Sequence, residues 1–131
     1  MLFRSNPVSC AIGTAVLQTV KNEKLQENAL KVGAFLKEQL LKLAEEFPII
    51  GDVRGQGFFL GMELVDAQKK PLPKQTDYLI DRMKAHGILM SSDGQDHNVL
   101  KIKPPLVFSK ENAQQLLCYL KKILAEDVMT I

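Results

Sequence analysis

The amino-acid sequence predicts an α+β domain, with a small antiparallel sheet of about three strands packed against four helices. Three observations carry this expectation. Apolar residues recur at three- and four-residue steps before Pro48 and again after Ser109, as on one face of a helix. Between Phe58 and Val65 the period drops to two, as in a strand. The resulting order of helix, helix, strand, helix, strand, strand, helix is that of helices layered on a sheet.

Asn6 and Pro7 open the first helix, as a capping side chain followed by a residue whose missing amide hydrogen costs nothing there. Val8, Ala11, Ile12, Ala15, Val16 and Val20 make its stripe, which is expected to be buried. Asn22 and Glu23 interrupt it. A second helix carries Leu25, Ala29, Val32, Leu36, Leu40, Leu43 and Phe47 inward until Pro48 prevents continuation. Phe58, Leu60, Met62 and Leu64 then line one side of a strand. Asp66 to Pro73 reads as a polar loop, after which Thr76 is expected to cap a short third helix with Leu79, Ile80 and Met83 inward and Gly87 at its end. Ile88, Leu89 and Met90 predict a second strand, and Ser91 to Asn98, rich in turn formers, an exposed excursion. Val99 to Lys103 predict a third strand, stopped by Pro104 and Pro105. Ser109 caps a last helix with Ala113, Leu116, Leu117, Leu120, Ile123 and Leu124 on its buried face.

The 131 residues make one domain, 1–131, of ordinary size, and the 46% hydrophobic and 24% charged fractions are those of a globular chain. A formal charge of +2 supplies no field for nucleic acid or a membrane surface, so neither is expected as a partner. Cys10 and Cys118 lack the spacing of a metal site and are expected to be buried thiols of a reducing compartment. The start, MLFRSNPVSC, is too short an apolar stretch for a signal peptide or a spanning helix, and the protein is expected inside the cell, in the cytoplasm or mitochondria. The first helix begins almost at the first residue, so the chain is expected to belong to a longer protein.

The segment GDVRGQG, Gly51 to Gly57, concentrates the chemistry. Glycines at Gly55 and Gly57 permit close approach of backbone to a ligand, and the guanidinium of Arg54, just before them, can grip a carboxylate or phosphate through two parallel bonds. The same residues also fit a bent strand entry with Arg54 in a surface ion pair to Asp52. Lys101 and Lys103 share one face of a strand, where they can attract an anion or guard an edge against pairing. His86 and His97 have no neighbours arranged for nucleophilic catalysis, and Asp93 and Asp96 read as turn residues. No phosphate loop, zinc pattern or nucleophile elbow is present.

SNPVSCAIG, GDVRGQGFFLGMEL and ILMSSDGQDHNVLKIKPPLVFSKENA stand in the order and spacing of one family. The chain resembles the last third of a class-III, subgroup II, pyridoxal-phosphate aminotransferase-like enzyme. Within that family, Leu89 to Phe108 resembles the branch of phospho-lyases acting on ethanolamine phosphate or phosphohydroxylysine. The resemblance implies the carboxy-terminal small domain of a fold-type I homodimer, closing one wall of an active site that takes a small amino-phosphate or amino-acid substrate. It implies that Arg54 grips the substrate's carboxylate, that Gly55 and Gly57 let the backbone turn beneath the substrate, and that the parent enzyme uses pyridoxal phosphate. Two departures accompany it. Leu2, Phe3, Arg4 and Ser5 occupy the positions of the family's threonine-phenylalanine-glycine-glycine run, and no lysine lies in a cofactor-attachment motif. The chain by itself is therefore expected to hold no cofactor and to contribute no catalytic residue. The alternatives are part of an alanine-glyoxylate type transaminase, a non-catalytic fragment or assembly module, and a stand-alone anion-binding domain using Arg54, Lys101 and Lys103.

Overall fold

The computed structural model of the chain describes residues 6–130; the departures at Leu2 to Ser5 lie outside them. Asn6 accepts from the Val8 and Ser9 amides and starts helix α1, Pro7–Asn22. Lys24, in the left-handed region at φ 52°, turns the chain into α2, Leu25–Glu46. Strands β1, Ile50–Gln56, and β2, Phe59–Leu64, form a hairpin and lead to α3, Pro73–Ala85. Strands β3, Ser91–Asp93, and β4, Val99–Ile102, precede α4, Lys110–Leu124, and a 3-10 turn, Asp127–Met129. The sheet is antiparallel throughout, in the order β1-β2-β4-β3.

The expected α+β class holds, with four helices and a sheet of four strands. The strands not expected are β1, whose alternation is broken by a register shift between Ile50 and Asp52, and β3. Leu60, Met62 and Leu64 of β2, with Leu100 and Ile102 of β4, point to one side and are buried. Against them pack Leu36 and Leu40 of α2, Leu79 and Met83 of α3, and Leu120 and Ile123 of α4 in one apolar cluster. Residues one position out of phase, including Asp52, Arg54, Phe59, Gly61, Glu63 and Lys101, occupy the other side of the sheet, where the side chains are exposed or half-buried.

Several expectations are corrected. The apolar stripe of α1 is exposed: no residue of that helix is buried, and the main element beside it among the described residues is α2. Thr76 does not cap α3; Leu72 stands at the cap, and Thr76 lies fully buried one turn in, donating its hydroxyl to the Leu72 carbonyl at 2.9 Å. Ile88, Leu89 and Met90 form no strand; pairing begins at Ser91, inside the segment read as an excursion. Strand β4 is central, between β2 and β3, so Lys101 is not an edge guard. Cys10 and Cys118 are both exposed and unbonded, each on the outer side of a helix.

Local chemistry fixes the remaining ends. Ser109 and Asn112 make a reciprocal capping box at α4. Gly87, at φ 77°, closes α3. Asn28 donates to the carbonyls of Leu106 and Phe108 at 2.9 and 3.0 Å, binding α2 to the loop that follows β4.

Candidate functional site

The β1–β2 hairpin places Arg54 on the outer face of the sheet through an unusual backbone. Gly55 has φ 119°, and a Cβ there would run into the Phe59 carbonyl, so only glycine fits. Gly57, at φ 55°, makes the turn. Helix α2 presses directly on that turn: its Gly33 faces the Gly57 backbone so closely that a methyl group would overlap it. One helical turn on, the Lys37 ammonium donates to the Gly55 carbonyl at 2.9 Å. The segment between the glycines is thus held from beneath by a small residue and a charge.

Arg54 is anchored through one nitrogen only. Its Nη1 donates to Asp52 Oδ2 at 2.7 Å and to Glu63 Oε2 at 2.8 Å, and among the described residues Nε and Nη2 have no partner. Glu63 is held in turn by Asn98, a buried side chain that donates to Glu63 Oε1 at 3.3 Å and to the Leu64 carbonyl at 3.0 Å. The hydrogen bond from Arg54 keeps the Glu63 carboxyl below the usual glutamate range, and the bonds to Glu63 and Asp52 raise the guanidinium further above its own. The result is a permanently charged fork, steadied on one edge and open on the Nε–Nη2 edge, the geometry that receives a carboxylate or phosphate in two parallel bonds.

An open cleft of about 430 Å³ lies beside Arg54, with Arg54, Phe59, Gly61, Val99, Lys101 and Asp93 in its walls. Lys101 pairs with Asp93 at 2.9 Å across the β4–β3 ladder, and this contact holds the Asp93 carboxyl below its ordinary range. The structure therefore brings Arg54, Gly55 and Lys101 to one cleft, with Gly57 in the turn behind. Lys103 is not in the walls, but its ammonium stands 5.9 Å from the centre of the ring of Phe59, which is. His86 stacks on Tyr119 at 4.4 Å, far along the other side of α3, and His97 stands exposed at a positive φ of 52° in the β3–β4 turn. Among the described residues no group of His, Cys, Asp or Glu could hold a metal ion.

Sequence reasoning missed Glu63, Asn98 and Lys37. Their signal was present only for Glu63, which alternation places on the same side as Gly61 and which antiparallel pairing sets opposite Asp52.

The class-III aminotransferase family model matches residues 2–124. The chain belongs to that family. It is 47% identical over 118 residues to an alanine–glyoxylate aminotransferase 2-like protein of Drosophila melanogaster, covering 88% of this chain and 24% of the relative. Among solved structures it is similar to a phospholyase from Arthrobacter in complex with phosphoethanolamine, with 40% identity, a TM-score of 0.89, and coverage of 92% of this chain and 29% of that one. It is also similar to a PLP-bound amine transaminase from an uncultivated Pseudomonas species, with 32% identity and a TM-score of 0.80 over 95% of this chain and 30% of that one. The chain thus spans about a quarter of the length of its curated relative.

The family's enzymes work with pyridoxal phosphate, yet the residues described here do not fit that cofactor by themselves. The half-buried lysines, Lys37 and Lys101, are already bound to the Gly55 carbonyl and to Asp93, and the other lysines are exposed.

Proposed function

We propose that this chain forms the substrate-binding wall of a pyridoxal-phosphate-dependent phospho-lyase that releases phosphate from a small amino-phosphate, ethanolamine phosphate or phosphohydroxylysine. The observation that carries this reading is the Arg54 fork, tethered through Nη1, unpartnered at Nε and Nη2 among the described residues, and part of the wall of a cleft. An anionic substrate end placed there gains two charge-assisted bonds without reorganising the arginine, and Gly55 and Gly57 shape the backbone that aims it. The likeness to the phosphoethanolamine-bound phospholyase supports a phosphorylated amine as the ligand. The whole enzyme acts as a homodimer in this reading, and the 131-residue chain alone turns over no amine.

An alanine–glyoxylate type transamination is the second reading, favoured by the 47% identity to the Drosophila relative. One assay separates them. The full-length protein, supplied with pyridoxal phosphate, is incubated with ethanolamine phosphate or phosphohydroxylysine, and inorganic phosphate is measured alongside amino transfer to pyruvate or glyoxylate. Release of phosphate is the expected outcome. Transfer of the amino group with no release of phosphate overturns the lyase in favour of the transaminase.

A further inference from the structure

We propose that Asn98 and Glu63 are positioning residues: Asn98 fixes Glu63, and Glu63 fixes the Arg54 fork for the anionic end of the substrate. This rests on the substrate-binding role proposed for Arg54 and extends it to two residues that act only through it. The relay begins inside the fold. The Asn98 backbone carbonyl accepts from the Leu64 amide at 2.8 Å, and its side-chain amide donates to the Leu64 carbonyl at 3.0 Å. Bonded twice to one residue of β2 and only 3% exposed, Asn98 has no freedom to turn. Its side-chain nitrogen also donates to Glu63 Oε1 at 3.3 Å, which leaves Glu63 Oε2 for Arg54 Nη1 at 2.8 Å. An ionised carboxylate meets both demands, because each of its oxygens faces a donor. The bond from Arg54 first, and that from Asn98 to a smaller degree, outweigh burial and hold the Glu63 carboxyl below its ordinary range.

Asp52 is a different kind of anchor. It lies on edge strand β1 at the register shift, its side chain is 51% exposed against 30% for Glu63, and among the described residues it bonds only to Arg54. Charge does not explain why two carboxylates stand here. One guanidinium between them leaves the trio at a net −1, which repels an incoming anion. What Glu63 supplies is direction, since a fork already aimed loses less freedom when a ligand binds. The two explanations differ in sign. Were charge alone to govern, neutralising either carboxylate would tighten anion binding. Under positioning, Asp52→Asn lowers KM, because the asparagine keeps an oxygen for Nη1 and loses the charge. Glu63→Gln raises KM, because a glutamine has one oxygen for two donors. Asn98 cannot turn its own oxygen to the glutamine amide without setting it against the Leu64 carbonyl.

Steady-state kinetics of the full-length enzyme with ethanolamine phosphate or phosphohydroxylysine test this, beside side-chain NMR of Arg54 in the 131-residue chain. Glu63→Gln and Asn98→Ala should each raise KM by about threefold to tenfold, with kcat changed by less than about twofold. In an Arg54→Ala background neither should raise KM further, a non-additivity that general loosening of the sheet does not produce. Rotation about the Arg54 Cζ–Nη1 bond should be faster in both variants than in the wild-type chain. Should Asn98→Ala fail to fold, Glu63→Gln, which keeps the shape of the side chain, decides alone. A KM that falls or stays unchanged in Glu63→Gln, a rise that persists without Arg54, an equal rise in Asp52→Asn, or unaltered Arg54 rotation overturns the proposal. Its failure is distinct from that of the lyase. Phosphate release with unchanged KM values keeps the lyase and removes the relay. An enzyme that transfers amino groups and releases no phosphate removes the lyase, and the same signs, read from KM for the amino acid, then decide the relay.

Discussion

A guanidinium presents five N–H donors in one plane, and the worth of Arg54 lies in how few of them the hairpin uses. Two carboxylates converge on Nη1, fixing the direction of the side chain, while Nε and Nη2 have no partner among the described residues. Glu63 is the firmer of the two anchors, since Asn98 holds its second oxygen and Asn98 is itself locked to the Leu64 carbonyl. Removing the fork should therefore be felt in substrate binding first. In the full-length enzyme, Arg54→Ala should raise KM for an anionic amine by about tenfold to a hundredfold, the effect of one charge-assisted pair. Arg54→Lys should recover only part of this, because an ammonium supplies the charge without the planar fork. Steady-state kinetics decide the matter; KM values unchanged in both variants would return Arg54 to a purely structural ion pair with Asp52.

Elements meet where side chains are smallest. Helix α2 approaches the β1–β2 turn only because Gly33 has no Cβ, whereas Gly13, in the middle of exposed α1, has nothing within 4 Å of where its Cβ would be. The same substitution should accordingly have opposite signs in the two helices. Gly33→Ala is expected to lower unfolding stability by about 1–3 kcal/mol through overpacking, and Gly13→Ala to raise it by about 0.5–1 kcal/mol through helix propensity. Urea denaturation measures both, and a stabilising Gly33→Ala would mean that the turn is not held by this contact. The helices were legible in the sequence because a 3.6-residue period survives any environment. The burial of α1 was not, since a stripe announces an apolar face without naming what covers it. Strand β1 escaped detection because Gly51, Asp52, Arg54 and Gly55 interrupt its alternation, and β3 because Ser91, Ser92 and Asp93 carry no apolar signal at all.

Across the whole molecule, what sequence could not reveal are contacts between residues far apart in the chain. Arg54 stood out by its flanking glycines; Lys37, Asn98 and Asp93 became part of its surroundings only when α2, β3 and β4 were folded onto the hairpin. The carboxy-terminal turn is closed in the same way. Tyr78 donates to Glu126 Oε2 at 2.6 Å and Arg82 Nη2 to Oε1 at 2.6 Å, fastening α3 to the segment after α4, where Met129 is buried. The Arg82 bond first, and the Tyr78 bond second, hold the Glu126 carboxyl below its ordinary range. A carboxyl depressed in the folded state stabilises above its unfolded pKa of about 4.3, and that contribution is lost as pH falls through the lower, folded value. The melting temperature of Glu126→Gln should therefore lie below that of the wild type at pH 7. The gap should stay constant down to about pH 5 and close progressively as acidification passes the glutamate range. Thermal melts of the two proteins side by side from pH 7 to pH 3 measure it directly. A gap that persists undiminished at the acid end would show that Glu126 acts there through its shape and neutral hydrogen bonding, and that the charge on the clamp contributes nothing to holding the turn against α3.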